Sequence, residues 1–321
     1  MNNRLLPMCV AALMVTFASG FLPEDQAAPV KVPSAPGVET LSMKQPLAAD
    51  SPAMIALAQF VNYHFSAMTT GSTDAVKDSR SALVTALRKT EATAVFRRTM
   101  LSLIKPRLTD LLATNDTFRI TNGLLVVRQV KDAEANELLL GQCNSETQSN
   151  ASVRIAATGM LPSLMTGGSI PAAQLDGLAR RIRSLISTET NWIAASQDLA
   201  ALNTMATVTE KAKLLDQAAS IRLDIVKALD DLVGRSIKLG DPDLAAAIFR
   251  GLVALRNQVL SMQQDEQKKL SAVAQPMLAA VQNLPNAPAG ESGAKGKMQL
   301  EVDGAREAAR QLVKLLPKSA S

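Results

Sequence analysis

Apolar side chains recur along most of this chain at the three- and four-residue spacing of an α-helix. In the segment after Ser51 the stripe runs through Ala53, Leu57, Phe60 and Val61 to His64. Alternation with a period of two, which would indicate strands, is confined to 117–120 and 124–127, whose neighbours fit a helix better. Sheet proteins also rely on aromatic and β-branched residues, and only 3% of this chain is aromatic although 47% is hydrophobic. The spacing therefore predicts an all-α fold.

Turn-forming residues interrupt the helical pattern at short intervals as far as Leu202. They divide this part of the chain into about nine or ten helices of roughly 12–18 residues. Helices this short must stack in layers, because one neighbour cannot cover the whole apolar stripe of each. We therefore expect a helical array over 51–203.

The pattern after the array predicts two much longer helices, over 208–239 and 242–281. Asp241 is a favourable N-cap for the second helix, and proline is favoured at a first helical position, where Pro242 stands. We expect these helices to form an antiparallel hairpin over 204–282. The hairpin is expected to pack on the array, because alanine-rich faces permit close approach.

The amino terminus has the features of a secretory signal peptide. Arg4 precedes an apolar run over 5–18, and small residues follow as far as Gly20. A membrane span needs about 20 apolar residues, whereas this run is shorter and is interrupted by Pro7. We expect cleavage after Gly20, which removes residues 1–20. The chain is then exported, to a periplasmic or extracellular location, and keeps no transmembrane span.

Two segments have the composition of linkers. Five prolines stand among small and polar residues in 21–50, and prolines at that density favour an extended, solvated chain. A second flexible linker is expected over 283–297. An amphipathic helix is predicted beyond it, over 298–317. This last helix either docks on the body or is a tethered ligand for the groove of a partner.

Two segments of the array share a pattern of an aspartate or asparagine followed by an apolar residue, an arginine and a short side chain. They are 115–122 and 150–157, and their arginines, Arg119 and Arg154, are 154 − 119 = 35 residues apart. This part of the chain, about 51–203, resembles a HEAT-type α-solenoid. The resemblance implies that helix pairs stack into a superhelix. It also implies that the aspartate or asparagine and the arginine of this pattern form hydrogen bonds between neighbouring repeats. The residues concerned here are Asp116, Arg119, Asn150 and Arg154.

The sequence offers little for catalysis. The one histidine, His64, lies in an aromatic cluster without a titratable partner within a helical turn, so we expect a packed side chain rather than a general base.

Cys143 is the one thiol that remains after cleavage removes Cys9. We expect it to be buried and inert, with an intermolecular disulfide as the alternative. A lone histidine and a lone cysteine give no metal-ligand spacing, and motifs for a serine nucleophile or a phosphate loop are missing from the sequence. We expect no cofactor, no metal and no enzymatic activity.

Basic residues cluster twice in the array. The first group comprises Arg88, Lys89, Arg97, Arg98, Lys105 and Arg107, and the second comprises Arg180, Arg181 and Arg183. The first group could line a groove that attracts an anionic partner. Acidic residues follow it directly, however, and the aromatic residues that would stack on nucleic-acid bases are few, so nucleic acid is disfavoured.

These observations favour an exported, non-enzymatic scaffold or adaptor that binds a protein partner, or its own copy, through a helical-repeat surface. The alternative is a binding module for an anionic surface polymer, which would use the first basic group as a basic helical face. An enzyme with an unfamiliar helical active site remains a third hypothesis.

Overall fold

The computed structural model describes residues 32–168, 170–288 and 294–317, and within these ranges it contains thirteen α-helices and no strand. The all-α prediction is confirmed. The helices are α1 (Val38–Leu41), α2 (Pro52–Thr70), α3 (Thr73–Arg88), α4 (Ala94–Leu112), α5 (Thr117–Val130), α6 (Ala133–Gly141), α7 (Ala151–Thr166), α8 (Leu175–Thr188), α9 (Trp192–Lys211), α10 (Leu215–Leu239), α11 (Ala245–Val259), α12 (Gln264–Ala280) and α13 (Ala294–Leu315). The predicted signal peptide, 1–20, lies outside the described residues.

Most of the helices before α10 begin at a residue whose side chain accepts a hydrogen bond from a backbone N–H of the first turn. The capping residues are Ser51, Ser72, Thr93, Asp116, Asp132, Asn150 and Asn191. Such a cap stabilises a helix by about 1 kcal/mol. Each cap depends only on residues next to it in sequence, so the helix starts follow from local chemistry.

Several helix ends are capped by an arginine of another helix. Arg119 of α5 donates to two backbone carbonyls at the end of α2, each at 2.8 Å. Arg235 of α10 does the same at the end of α8, with both distances 2.7 Å. The last carbonyls of a helix have no partner within the helix, and a cation is favourable at that end. These arginines therefore fix how one helix stands against another.

From α2 onward, almost all contacts join helices that are neighbours or next-but-one neighbours in sequence. The odd-numbered helices α3 to α13 contact one another in order, and we call them the odd layer. The even-numbered helices α2 to α12 form the even layer, in which α2 contacts α4, and α10 contacts both α8 and α12. The buried apolar side chains of the two layers form one continuous core from Leu41 to Leu316.

Ion pairs connect successive helices of the even layer. Lys105 of α4 pairs with Glu134 of α6, and the Glu137 carboxylate of α6 accepts two hydrogen bonds from Arg181 of α8, at 2.7 and 2.8 Å. These pairs are exposed, and exposed pairs contribute only about 0–1 kcal/mol each. Their role is to hold α4, α6 and α8 in register where apolar contact between these helices is slight.

The predicted long hairpin is wrong in its second helix. The segment 242–281 forms two helices, α11 and α12, and the chain turns between them over 260–263. The turn buries Met262, and the Gln267 amide donates to the backbone carbonyls of Val259, at the end of α11, and of Met262 itself. A single helix of that length would extend about 60 Å, at 1.5 Å per residue, far beyond α10. Folding back allows both α11 and α12 to pack on α10.

The first long helix is also shorter than predicted. Helix α9 continues to Lys211, and α10 begins only at Leu215. Lys213, between them, has a φ of 61°, in the left-handed region that ends a helix. This conformation separates two helices where the apolar spacing alone indicated one.

The predicted solvated linker over 21–50 is wrong for its described part near α1. Leu41 is fully buried, and Met43 is nearly so. Thr93, the cap of α4, holds this segment: its backbone N–H donates to the Leu41 carbonyl at 3.0 Å and its hydroxyl to the Met43 carbonyl at 2.7 Å. Residues 37–43 are thus part of the folded body.

The C-terminal helix docks on the body. Helix α13 begins at Ala294, before the predicted start at 298, and packs on α11 and α12. Its buried residues are Val302, Ala305, Ala308, Ala309, Leu312 and Leu316. Of the two alternatives for this helix, the structure therefore shows the docked one.

Within the described residues, none of the helices combines the length and the hydropathy needed to cross a bilayer.

Candidate functional site

The candidate site is a cleft of about 260 Å³ beside the one tryptophan of the chain, which we call the Trp192 cleft. It is lined by Trp192, Pro242, Asp243, Ala246, Lys297, Met298 and Glu301. Trp192, Ala246 and Met298 supply apolar surface, and the charged residues supply polar groups. A concave apolar surface with a few polar groups is the usual form of a binding site.

Three helices of the odd layer bring their first turns to this cleft. Asn191 caps α9 by accepting from the backbone N–H groups of its first turn, at 3.0 and 3.2 Å, and this places Trp192 at the first helical position. The turn before α11 is fixed by Gly240, whose φ is 63°, and by the Asp241 carboxylate, which accepts from the Asp243 N–H at 2.9 Å. Helices α9, α11 and α13 therefore run in the same direction.

Arg250 of α11 orients the tryptophan. Its guanidinium carbon lies 4.8 Å from the centroid of the Trp192 ring. A cation in this position is attracted to the ring by about 0.5–2 kcal/mol. The half-buried indole is thus held by α11 while part of its surface lines the cleft.

The charged residues of the cleft are available to a ligand. Asp243 and Lys297 are exposed and Glu301 is half-buried. In the part of the chain that the structure describes, the side chains of these residues make no hydrogen bond or ion pair. Most arginines of the even layer, in contrast, are paired.

The first predicted basic group lies on α3, α4 and the turn between them, and most of its charge is engaged. Arg98 pairs with Asp132 at 3.4 Å, Lys105 with Glu134, and Arg107 with Asp110 at 3.6 Å. Three of the six predicted residues are therefore each neutralised by a carboxylate.

Two of the remaining members bind neutral acceptors, and the exposed Lys89 side chain makes no hydrogen bond or ion pair with the described residues. Arg88 donates to the Gln129 amide oxygen at 2.9 Å, and Arg97 donates to the Leu87 carbonyl at the end of α3. The second group is engaged as well: Arg180 pairs with Asp176 at 2.9 Å, and Arg183 lies 3.6 Å from Asp224. Neither group forms a continuous surface of unpaired cations.

The residues assigned to repeat stacking lie at the starts of α5 and α7. Asp116 caps α5 and pairs with Arg119 at 3.0 Å. Asn150 caps α7, and its amide donates to the Thr117 hydroxyl of α5 at 2.9 Å. This last bond joins successive helices of the odd layer. Arg154 instead reaches a carboxylate at the end of α8.

Arg154 belongs to a buried polar cluster that the sequence did not reveal as a unit. Its guanidinium donates two hydrogen bonds to Glu189, at 2.7 and 2.8 Å, and both residues are buried. Burial raises the pKa of Glu189, but hydrogen bonds from Arg154 and from the Asn191 backbone N–H outweigh burial and leave the pKa below its usual range. The pair is therefore ionised at neutral pH.

Asp198 of α9 lies in the same cluster and is its least satisfied member. Its side chain is 1% exposed, and its Oδ1 atom has no hydrogen-bond partner within the described residues. Burial raises the pKa of Asp198 to about 8, and the charge of Glu189 adds to the rise, whereas Thr158 and Arg154 oppose it. The carboxyl is consequently protonated at neutral pH.

His64 and Cys143 have the structural surroundings expected of packed residues. The His64 ring packs edge-on against Phe60 and Tyr63, and its Nδ1 lies 3.2 Å from the Ser79 hydroxyl. Burial lowers the pKa of His64 and raises the pKa of the Cys143 thiol to about 12, so the thiolate nucleophile does not form near neutral pH.

Within the described residues, no three side chains of the types His, Cys, Asp and Glu come together in a way that could hold a metal ion.

Sequence reasoning missed the Trp192 cleft. The available indication was the one tryptophan standing directly after a helix cap, Asn191.

Comparison of the chain with protein-family models, with curated proteins and with solved structures gives no match.

Proposed function

We propose that the chain is an exported, non-enzymatic scaffold with a HEAT-like helical array, and that it binds a protein partner through the Trp192 cleft. The observation that carries the proposal is the convergence of three helix starts around one tryptophan and several unpaired charged groups. Protein interfaces are enriched in tryptophan, methionine and arginine, and hot spots are enriched in tryptophan and arginine.

The size of the cleft favours a side chain of a partner over a free small molecule. Small-molecule pockets have volumes of about 300–1,000 Å³ and enclose most of their ligand, whereas this cleft has about 260 Å³ and is open to solvent. It suits one large apolar side chain. The apolar surfaces of Trp192 and Met298 would contact that side chain, and Asp243, Lys297 and Glu301 would contact the adjoining backbone or polar groups.

The layering of the helices supports the HEAT-like part of the proposal. Contacts between next-but-one helices are what a stack of helix pairs requires, and they extend through the odd layer from α3 to α13. The bond from Asn150 to Thr117 lies between two helix starts that share the pattern found in the sequence. The export part is supported by residues 4–20, as argued from the sequence.

The alternative function, binding of an anionic polymer, has less support. It needs unpaired cations on one surface, but Arg98, Lys105 and Arg107 each pair with a carboxylate. Binding through paired arginines would require breaking these pairs. Partner binding that barely changes with ionic strength would exclude this alternative.

Site-specific photocross-linking in the source cells tests the proposal. The photoreactive residue p-benzoylphenylalanine replaces Asp243 at the rim of the cleft or, in a matched control, Leu260 at the opposite end of α11. Both positions are exposed. We expect a discrete adduct with one protein from position 243 and none from position 260.

A second variant makes the test specific for the cleft. Trp192→Ala should lower the yield of the adduct at position 243 by about tenfold or more, because truncation of a hot-spot tryptophan costs about 2 kcal/mol or more. Helical circular dichroism controls for folding. An adduct that is equally abundant with Trp192→Ala would show that the partner binds elsewhere.

A further inference from the structure

One wall of the Trp192 cleft is supplied by the C-terminal helix. Three of the seven lining residues, Lys297, Met298 and Glu301, belong to the early turns of α13, and the rest belong to α9, α11 and the turn before α11. Without these turns, Trp192 and Ala246 would lie on an open surface. The cleft is therefore complete only while the beginning of α13 is docked.

The later part of α13 is firmly attached. Val302, Ala305, Ala308, Ala309 and Leu312 of this part are buried, and α13 packs on α11 and α12. Arg256 of α11 donates to the Gln311 amide oxygen at 2.7 Å, and the Ser271 hydroxyl of α12 donates to the Pro317 carbonyl at 2.7 Å. This part of the helix has both packing and hydrogen bonds to hold it.

The beginning of α13 is attached much less firmly. None of the side chains from Gly296 to Glu301 is buried, and Leu300 is 72% exposed. The hydrogen bond described between this stretch and the body is the one in which the Ala287 N–H donates to the Gln299 amide oxygen, at 2.9 Å. Regions with few buried contacts open with the lowest free energy.

We propose that the first turns of α13 are a regulatory wall of the Trp192 cleft. The cleft binds the partner when these turns are docked, and a bound partner stabilises their docked position. This inference rests on the proposed function. Any ligand that contacts Trp192 and Met298 together binds the docked state more tightly, and the coupling is reciprocal by thermodynamic linkage.

Gly304 provides a way to displace the wall. It is the point where α13 lies against Phe249 of α11, and a Cβ at this position would stand 3.1 Å from the phenyl ring. Gly304→Leu therefore pushes this part of α13 away from α11. Gly234→Leu is the matched control, because Gly234 lies exposed in α10 with no atom within 4 Å of the added Cβ. Gln299→Ala is a milder second variant that removes the Ala287 contact.

The experiment combines acrylamide quenching of the single tryptophan with the cross-link at position 243. We expect both Gly304→Leu and Gln299→Ala to increase acrylamide quenching of Trp192 fluorescence and to lower the adduct yield. Gly304→Leu should lower the yield by about tenfold, which corresponds to ~1.4 kcal/mol. Gly234→Leu should change neither. Amide hydrogen exchange in the full chain should be faster at 296–301 than in the rest of α13.

The outcomes separate the two proposals. Unchanged quenching in both α13 variants, together with equal exchange along α13, would show a fixed wall and overturn the inference. Increased quenching with an undiminished adduct would also overturn it, while the proposed function stands if Trp192→Ala still abolishes the adduct. If Trp192→Ala leaves the adduct unchanged, the partner does not use the cleft, and both proposals fail.

Discussion

The Asp198 carboxyl gives this fold a pH dependence whose sign and size can be derived. Asp198 is a buried residue of α9 near the Arg154–Glu189 pair, and its pKa of about 8 is far above the value of 3.8 for an ordinary aspartate. A carboxyl whose pKa is raised on folding contributes its full stability below the pKa of the unfolded chain. That contribution is lost as the pH rises through the folded pKa. Stability should therefore fall between pH 4 and pH 8.

The magnitude follows from the two pKa values. Each unit of difference corresponds to about 1.36 kcal/mol, so the loss between pH 3.8 and pH 7 is (7 − 3.8) × 1.36, or about 4 kcal/mol as an upper limit. Asp198→Asn keeps the shape of the side chain but cannot ionise. The variant should be more stable than the natural chain at pH 7.5, by an amount that grows as the pH rises.

The assay is urea unfolding followed by circular dichroism, at pH 5 and pH 7.5. The free energy of unfolding of Asp198→Asn minus that of the natural chain should be about 3 kcal/mol larger at pH 7.5 than at pH 5. Asp230→Asn, an exposed position on α10, is the control and should show no such change. Glu189, whose pKa lies below its usual range, stays ionised in the folded state of all three proteins at both pH values, so its contribution to the comparison cancels. An equal difference at both pH values would refute the reasoning.

Four further predictions concern single sites of the chain. Arg154→Met leaves the Glu189 carboxylate buried without its partner and should cost about 3–5 kcal/mol in the free energy of unfolding at pH 7; a cost below 1 kcal/mol would contradict the buried pair. Gly251→Ala places a Cβ 2.7 Å from a Leu229 methyl group, and should lower stability by about 1–3 kcal/mol, which thermal unfolding would show. Cys143 should react with a thiol reagent only after unfolding, because it is buried and weakly acidic; rapid reaction of the native protein would contradict this. Mass spectrometry of the mature protein should find a chain that begins at residue 21, and an intact amino terminus would argue against export by cleavage.

A helix start that depends on a local cap follows from the sequence more readily than the neighbours of that helix do. The start predicted at Asp241 and Pro242 is wrong, because α11 begins at Ala245 and has no side-chain cap. Ser51 and Asp116 cap α2 and α5 through residues three positions away, so a short window of sequence contains the relevant chemistry. The break at 260–263 buries Met262 in the core between helices, and no local pattern shows that requirement.

The candidate site illustrates the same limit. Trp192, Asp243 and Met298 lie in three separate helical regions, and only the stacking of α9, α11 and α13 brings them to one cleft. Asp198 meets the Arg154 pair for the same reason. The sequence identified residue types that stand close together along the chain, such as the first basic group, and could not show that Asp132 and Glu134 pair with two of its members.

Because almost every helix contacts only its near neighbours along the chain, the molecule holds few links between remote parts of the sequence. Closing short loops costs little entropy, so folding can begin at several places and spread outward, as it does in linear arrays. Local unfolding should therefore begin where a helix has few buried side chains, as at the start of α13, before the chain unfolds as a whole.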